Sequence, residues 1–243
     1  MIGHRKNIIE EWKEYLYPRR CPGCNEILYE EEKTDGYCRM CKTKMTYIGD
    51  SGCIKCGKKL KDATQTVCSD CRRRNHVFVQ NKAVYVYAGP MKPAMYRFKY
   101  SNCRTYGKTF VEDVWKIHAL WLQSLSVDAV IPVPMYRKKE KRRGYNQAEV
   151  LAREIAQKLG CPLETKVVVR AKNTVPLKNL NDTQRKKNLE NAFKIRKNGV
   201  KLNKILLIDD IYTTGSTLDG VTTALLAAGV QEVYCLTICA GQG

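Results

Sequence analysis

The sequence predicts an α/β fold: a parallel sheet with flanking helices, preceded by a small cysteine-rich module. Three observations lead there. From residue 78 onward, short apolar runs alternate with segments of helical period, as the strand–helix–strand units of a right-handed parallel sheet require. One run, Ile205-Leu206-Leu207-Ile208, opens directly into two carboxylates and a small hydroxyl-and-glycine turn. Before residue 72, eight of the 12 cysteines fall into CxxC pairs.

The pairs are Cys21/Cys24, Cys38/Cys41, Cys53/Cys56 and Cys68/Cys71. A CxxC knuckle puts two sulfurs on one tight turn, and two knuckles close a tetrahedral site around Zn²⁺. Pro22 and Gly23 inside the first knuckle, and Gly57 after the third, suit such turns. Free thiols, disulfides and an iron–sulfur cluster are the competing readings. Sequential pairing gives two successive zinc ribbons, while a cross-braced arrangement would join the first knuckle to the third. The sequential ribbons are expected. No His replaces a ligand, so both sites read as structural, with the metal supplying folding energy that a short segment poor in large apolar side chains lacks. Cys235 and Cys239, inside the apolar run 232–240, read as buried core thiols. His4, His76 and His118 join no nucleophile or ligand constellation.

At 243 residues the chain can hold one α/β domain and a smaller module, divided here as 1–76 and 77–243. Its net charge is +19, with pI near 9.5. Two zinc ions held by eight thiolates would lower the charge to about +15. Such a surface favours polyanionic partners, either nucleic acid or multiply phosphorylated substrates, although charge alone also fits a basic protein with no polymer partner. No apolar run approaches the roughly 18 residues of a membrane span, and residues 1–20 lack the apolar core of a signal peptide. A cytoplasmic protein without membrane insertion is expected. In a reducing compartment, so many cysteines argue for metal over disulfides.

The most informative segment follows the Ile205–Ile208 run. Asp209, Asp210, Ile211 and Tyr212 lead into Thr213, Thr214, Gly215, Ser216 and Thr217, and then into a helix through residues 218–228. A Thr/Gly/Ser turn at a helix start aligns backbone N–H groups and hydroxyls around one anion. Gly215 allows close approach of the backbone. Asp209 and Asp210 can accept hydrogen bonds from sugar hydroxyls and help hold Mg²⁺. The plainer reading is that Ser and Thr cap a helix and the carboxylates are merely solvated. The complete strand–turn–helix context favours a phosphate site.

Between the two signals, residues 6–17 are amphipathic, and residues 78–87 read as one or two strands. Residues 91–100 and 110–125 read as helices, and residues 127–133 as a buried strand ending in Pro132-Val133-Pro134. The basic run 137–143, from Arg137 and Lys138 to Arg143, reads as a substrate-facing loop, against the plainer reading of a solvated surface loop. It leads into Tyr145, Asn146 and Gln147 and then a helix to residue 159. Residues 167–169 read as a third buried strand. Ligands of such sheets sit at the carboxyl ends of the strands. That rule places Pro132, Val133, Pro134, Arg137, Lys138, Arg143 and Tyr145 beside the 209–217 cradle. One loop would hold a phosphate, and the other would offer backbone and cations. The stretch Arg185-Lys186-Lys187 fits a solvated face and a functional role equally.

Residues 204–217 closely resemble the 5-phosphoribosyl-1-pyrophosphate (PRPP) motif of type I phosphoribosyltransferases. With the double ribbon, Ile131-Pro132-Val133-Pro134, Arg143-Gly144-Tyr145-Asn146-Gln147 and residues 185–193, nearly the whole chain resembles the ComF family, ComFC type. The resemblance implies a type I phosphoribosyltransferase-like fold and a PRPP site with Mg²⁺. It also implies a role in handling incoming single-stranded DNA, with a competence helicase-like partner. By the same resemblance, the 5-phosphate would lie on residues 213–217 and the ribose hydroxyls on Asp209 and Asp210. Pyrophosphate would leave beside Arg137, Lys138 and Arg143. Three departures stand out. Lys141 replaces a usual Arg, losing bidentate geometry. Thr174-Val175-Pro176-Leu177 lacks the usual Gln. Thr213 stands where purine-salvage enzymes have an acid.

Overall fold

The structure is a computed structural model that describes residues 12, 15–62, 64–171, 192–196 and 202–242. Short helices α1 (Glu30–Lys33), α2 (Arg39–Lys44) and α3 (Ser69–Arg73) belong to the cysteine-rich segment. There follow β1 (Gln80–Val86), α4 (Met91–Tyr100), α5 (Tyr106–Ser124), β2 (Ala129–Pro132), α6 (Arg137–Arg143) and α7 (Gln147–Leu159). The described chain continues with β3 (Val168–Arg170), β4 (Phe193–Ile195), β5 (Lys204–Tyr212), α8 (Ser216–Ala227) and β6 (Glu232–Ala240). Most of residues 6–17, residues 174–177 and the 185–187 stretch lie outside the described residues.

Four strands form one parallel sheet in the order β1-β6-β5-β2. The run 232–240, expected only to bury its thiols, supplies β6, which lies between β1 and β5. Cys235 and Cys239 are fully buried in it, as expected. The central strands carry apolar residues on both faces because helices or ribbons cover both. Leu206 and Ile208 join one core cluster, and Ile205 and Leu207 join the other, following the alternation of a strand.

Each core cluster includes one half of the cysteine-rich segment. Cys21, Leu28, Tyr37 and Cys41 pack in the cluster with Met95, Phe98, Phe110 and Leu206. Cys53, Cys56 and Cys68 pack in the other with Phe78, Leu207, Val221 and Leu225. The two ribbons thus extend the core on opposite sheet faces. Burying Tyr37, Phe78 and Phe98 at such seams contributes about 1.5–3 kcal/mol for each large apolar side chain.

Three expectations require correction. The segment expected as a third parallel strand becomes β3, paired antiparallel with β4 in a separate two-stranded sheet. A short apolar run carries no information about strand direction, and here Arg170 opposes Phe193 and stacks over its ring at 5.4 Å. The basic run 137–143 forms helix α6 and not a loop. Lys, Arg and Glu are good helix formers. Gly144 ends this helix at φ +88°, and its amide donates to the Glu140 carbonyl at 2.7 Å. Finally, β5 does not stop at Ile208 but runs on to Tyr212, so Asp209 and Asp210 lie within the strand. Asp209 pairs with Thr237 and Tyr212 with Ala240, because β6 is long enough to carry the ladder that far.

Candidate phosphate-binding cleft and zinc ribbons

The C-terminal end of β5 leads into the turn Thr213-Thr214-Gly215 and then into α8. Gly215 is the N-cap residue at φ +80°, a left-handed conformation that disfavours any side chain. Its carbonyl accepts from Asp219 N at 2.8 Å, closing the first helical turn. Among the described residues no side chain caps this helix. Thr214 Oγ1 and Ser216 Oγ instead lie 3.0 Å from each other. The first amides of a 12-residue helix are therefore left for an anion, in contrast with the plainer capping reading. Thr213 is exposed, and Thr214, Ser216 and Thr217 are partly exposed, so the turn faces outward.

Next to the turn lies the carboxylate pair. Asp209 Oδ1 accepts from the Asp210 amide at 2.8 Å. Burial and the neighbouring Asp210 charge push the Asp209 carboxyl up to about 7. Lys99 from α4 reaches Asp210 Oδ1 at 3.0 Å. Burial works against the Lys99 ammonium, but the Asp210 carboxylate outweighs it and the lysine is held above its usual value.

Cations ring this pair. The Arg143 guanidinium lies 4.7 Å from the centre of the Tyr100 ring, and its Nη1 donates to Gln147 Oε1. Arg170 from β3 is depressed by burial and partly restored by the Asp209 charge. Lys139 is depressed by burial and then by Arg170, Arg142 and Arg143. A lysine pressed by three guanidinium groups marks a place where a polyanion would be favoured.

The other expected contacts are placed differently. Arg137 and Lys138 are exposed on α6, and Pro134 is partly exposed. Pro132 and Val133 are buried at the end of β2. Val133 N donates to the Ile208 carbonyl at 2.8 Å, and its carbonyl accepts from Asn146 Nδ2 at 3.0 Å, so this backbone is already engaged. Tyr145 does not face the cleft. It is buried against Phe98, its hydroxyl donates to the Phe98 carbonyl, and Arg104 stacks over its ring at 4.5 Å. Its role here is to fasten the α6–α7 turn to α4. Lys99, Arg170 and His76 escaped the sequence reading because none sits in a local motif; elements distant in sequence bring Lys99 and Arg170 to the carboxylate pair and His76 to the turn.

The eight knuckle cysteines form the two expected sequential groups, Cys21/24/38/41 and Cys53/56/68/71, each with its four sulfurs within 4.8 Å of one another. Cys24 Sγ–Cys38 Sγ and Cys56 Sγ–Cys68 Sγ are both 3.6 Å. A tetrahedron with Zn–S bonds of roughly 2.3 Å has S–S edges of about 3.8 Å, so both sets fit the metal. Backbone amides point at the sulfurs, Cys41 N at Cys38 Sγ (3.4 Å) and Cys68 N at Cys53 Sγ (3.3 Å), as thiolate ligands require. Four sulfurs fill the tetrahedron, which makes both sites structural.

Sheet, turn and ribbons together define a phosphoribosyltransferase-type domain carrying a double zinc ribbon. Residues 12–72 match the double zinc ribbon domain family, and residues 146–243 match the phosphoribosyl transferase domain family. The chain is 30% identical to competence protein F of Haemophilus influenzae, over 88% of this chain and 93% of that one. It is 28% identical to competence protein ComFC of Bacillus subtilis over 84% of this chain and 82% of that one. It is 27% identical to DNA utilization protein YhgH of Escherichia coli K12, over 83% and 89% of the two chains. The chain belongs to the ComF family of phosphoribosyltransferase-like competence proteins.

Proposed function

We propose that the chain binds Mg·PRPP and transfers its phosphoribosyl group to an acceptor, releasing pyrophosphate, in the service of DNA uptake and natural transformation. The observation that carries this reading is the uncapped start of α8 at Gly215, three residues beyond a strand that delivers Asp209 and Asp210. The 5-phosphate would accept from the amides and hydroxyls of residues 213–217, and the ribose hydroxyls would donate to Asp209 and Asp210. Asp209 and Asp210 would help hold Mg²⁺, which when bound would supply positive charge opposite the departing group. The acceptor attacks the anomeric carbon, the bond from that carbon to the pyrophosphate oxygen breaks, and Lys99, Lys139, Arg143 and Arg170 meet the charge that develops there. Such stabilisation is electrostatic and needs no protein nucleophile. The role in DNA uptake rests on the names of the relatives.

The test is pyrophosphate release from Mg·PRPP by the zinc-loaded protein, with single-stranded DNA and free bases as acceptors, alongside calorimetric binding of PRPP. Replacing Asp209 and Asp210 together by Asn should abolish PRPP binding while leaving the fold intact. Near-normal affinity in that variant refutes the site.

A second reading has its own support. Arg137, Lys138, Lys141 and Arg142 are exposed on α6, and Arg72–Arg74 follow the last knuckle. These suit a single-stranded nucleic-acid-binding competence factor whose PRPP site is a sensor or a relic. Affinity for single-stranded DNA should then fall steeply with salt. Absence of binding at about 0.1 M salt would count against it.

A further inference from the structure

Directly behind the phosphate turn lies His76, whose side chain is only 2% exposed. It follows α3, the last helix of the second ribbon, by three residues. Its Nδ1 is 2.7 Å from Asp219 Oδ2 in the first turn of α8, and its Nε2 is 3.1 Å from the Tyr212 hydroxyl at the end of β5. The second oxygen of Asp219 accepts from Val77 N at 3.0 Å. Below, the imidazole stacks on Phe78, with ring centroids 4.9 Å apart and planes 18° from parallel. Above, it presses on the glycine: a Cβ at Gly215 would lie 2.6 Å from His76 Cε1 and 2.7 Å from the Tyr212 hydroxyl.

These contacts join one ribbon-derived side chain to the residue before the turn, to the glycine inside it and to the helix after it. A Thr/Gly/Ser turn is conformationally permissive, so an unsupported one would have to be ordered by its ligand at the expense of affinity. A turn fixed beforehand avoids that loss.

We propose that His76 is a positioning residue through which the second zinc ribbon holds the 213–217 turn in its anion-binding conformation. The inference rests on the phosphate-site reading and assigns the ribbon a part in it. His76 touches no substrate and acts through Tyr212, Gly215 and Asp219. Its influence is therefore confined to the group bound on the turn. Affinity for a 5-phosphate depends on it, whereas pyrophosphate, met by the cations of α4, α6 and β3, does not.

The experiment compares the zinc-loaded full chain with His76→Ala, His76→Gln and Asp219→Asn. Ribose 5-phosphate, Mg·PRPP and Mg·pyrophosphate are titrated calorimetrically, and zinc content is read by mass spectrometry. His76→Ala should keep both zinc ions and weaken ribose 5-phosphate and PRPP by a common factor of roughly 10 to 100, as loss of preorganisation predicts. Pyrophosphate affinity should stay unchanged. His76→Gln, with an amide donor and acceptor in place of the two ring nitrogens, should recover part of the loss. Unchanged ribose 5-phosphate affinity in zinc-loaded His76→Ala overturns the proposal, and so does equal weakening of all three ligands. Should His76→Ala lose zinc or fail to fold, Asp219→Asn decides by the same comparison, because it lies in α8 and keeps the His76 ring and every zinc ligand in place. A wild-type chain that binds neither ribose 5-phosphate nor PRPP overturns the phosphate site itself together with this proposal. Wild-type binding with insensitive variants overturns the positioning role alone.

Discussion

Lys99 Nζ lies 3.0 Å from Asp210 Oδ1, joining a helix and a strand more than 100 positions apart in the chain. Their side chains are 21% and 14% exposed. Beside the pair, burial and then the Asp210 charge push the Asp209 carboxyl up to about 7, against the pull of Lys99.

Removing the lysine should therefore destabilise the protein throughout the neutral range, and more at pH 8 than at pH 5. The Lys99 ammonium is held above its usual value, so its stabilisation is fully present below the unfolded-state value and is lost only as pH rises through the folded one. Lys99→Met should lower stability by on the order of 2 kcal/mol at pH 8 in urea unfolding, because Asp209 and Asp210 are then left without the cation. The loss should shrink at pH 5, where protonation of Asp209 removes one of the two charges that the cation faces. Equal losses at both pH values would contradict the coupling.

Asp209 has the opposite consequence. Its folded value is raised to about 7, so it favours the protonated native state and loses stability as pH climbs from the ordinary carboxylate range through neutrality. Asp209→Asn should consequently stabilise the ligand-free protein at pH 8, by on the order of 2 kcal/mol, with little effect at pH 4. The same variant should lose PRPP. Thermal melts across that range check the first effect, and a destabilised variant at pH 8 would show that Asp209 is satisfied as an anion.

Much of this architecture was legible locally. The CxxC spacing announced the four knuckles, because each is a self-contained turn, but it left sequential and cross-braced pairing both open until the structure showed the sequential groups. The Ile205–Thr217 stretch announced its strand, turn and helix for the same reason. Relationships that depend on strand neighbours were not legible. The pairing of β3 with β4, the place of β6 between β1 and β5, and the approach of Lys99 and Arg170 to the carboxylate pair and of His76 to the turn all arise from contacts remote in sequence. Tyr145 shows the converse error: its neighbours suggested a ligand contact, but its ring fills the seam with Phe98. In the 137–143 run, charge pointed to solvent while helix propensity decided the conformation.

Gly215→Ala meets two obstacles, a left-handed φ of +80° and the His76 ring 2.6 Å from the added carbon. The variant should lose about 1–3 kcal/mol of stability and most of its affinity for ribose 5-phosphate. Urea unfolding and calorimetry check both, and a variant as stable as the wild type would show that the turn is not held against the histidine.

Metal removal should be felt throughout the core, since each ribbon completes one face of the sheet. Cys24→Ser should bind one zinc ion in place of two, and so should Cys68→Ser. Each should melt well below the wild type, with a loss on the order of several kcal/mol. Native mass spectrometry and melting curves would contradict this by showing two bound ions, or an unchanged transition with one.

The central claim, that residues 209–217 grip a phosphorylated sugar at the end of β5, is tested most directly by amide resonances. Mg·PRPP titrated into isotope-labelled, zinc-loaded protein should shift the signals of Gly215, Ser216 and Thr217 most strongly and saturably, and ribose 5-phosphate should reproduce those shifts. Saturable binding that leaves these amides unmoved, or no binding at all, would contradict it.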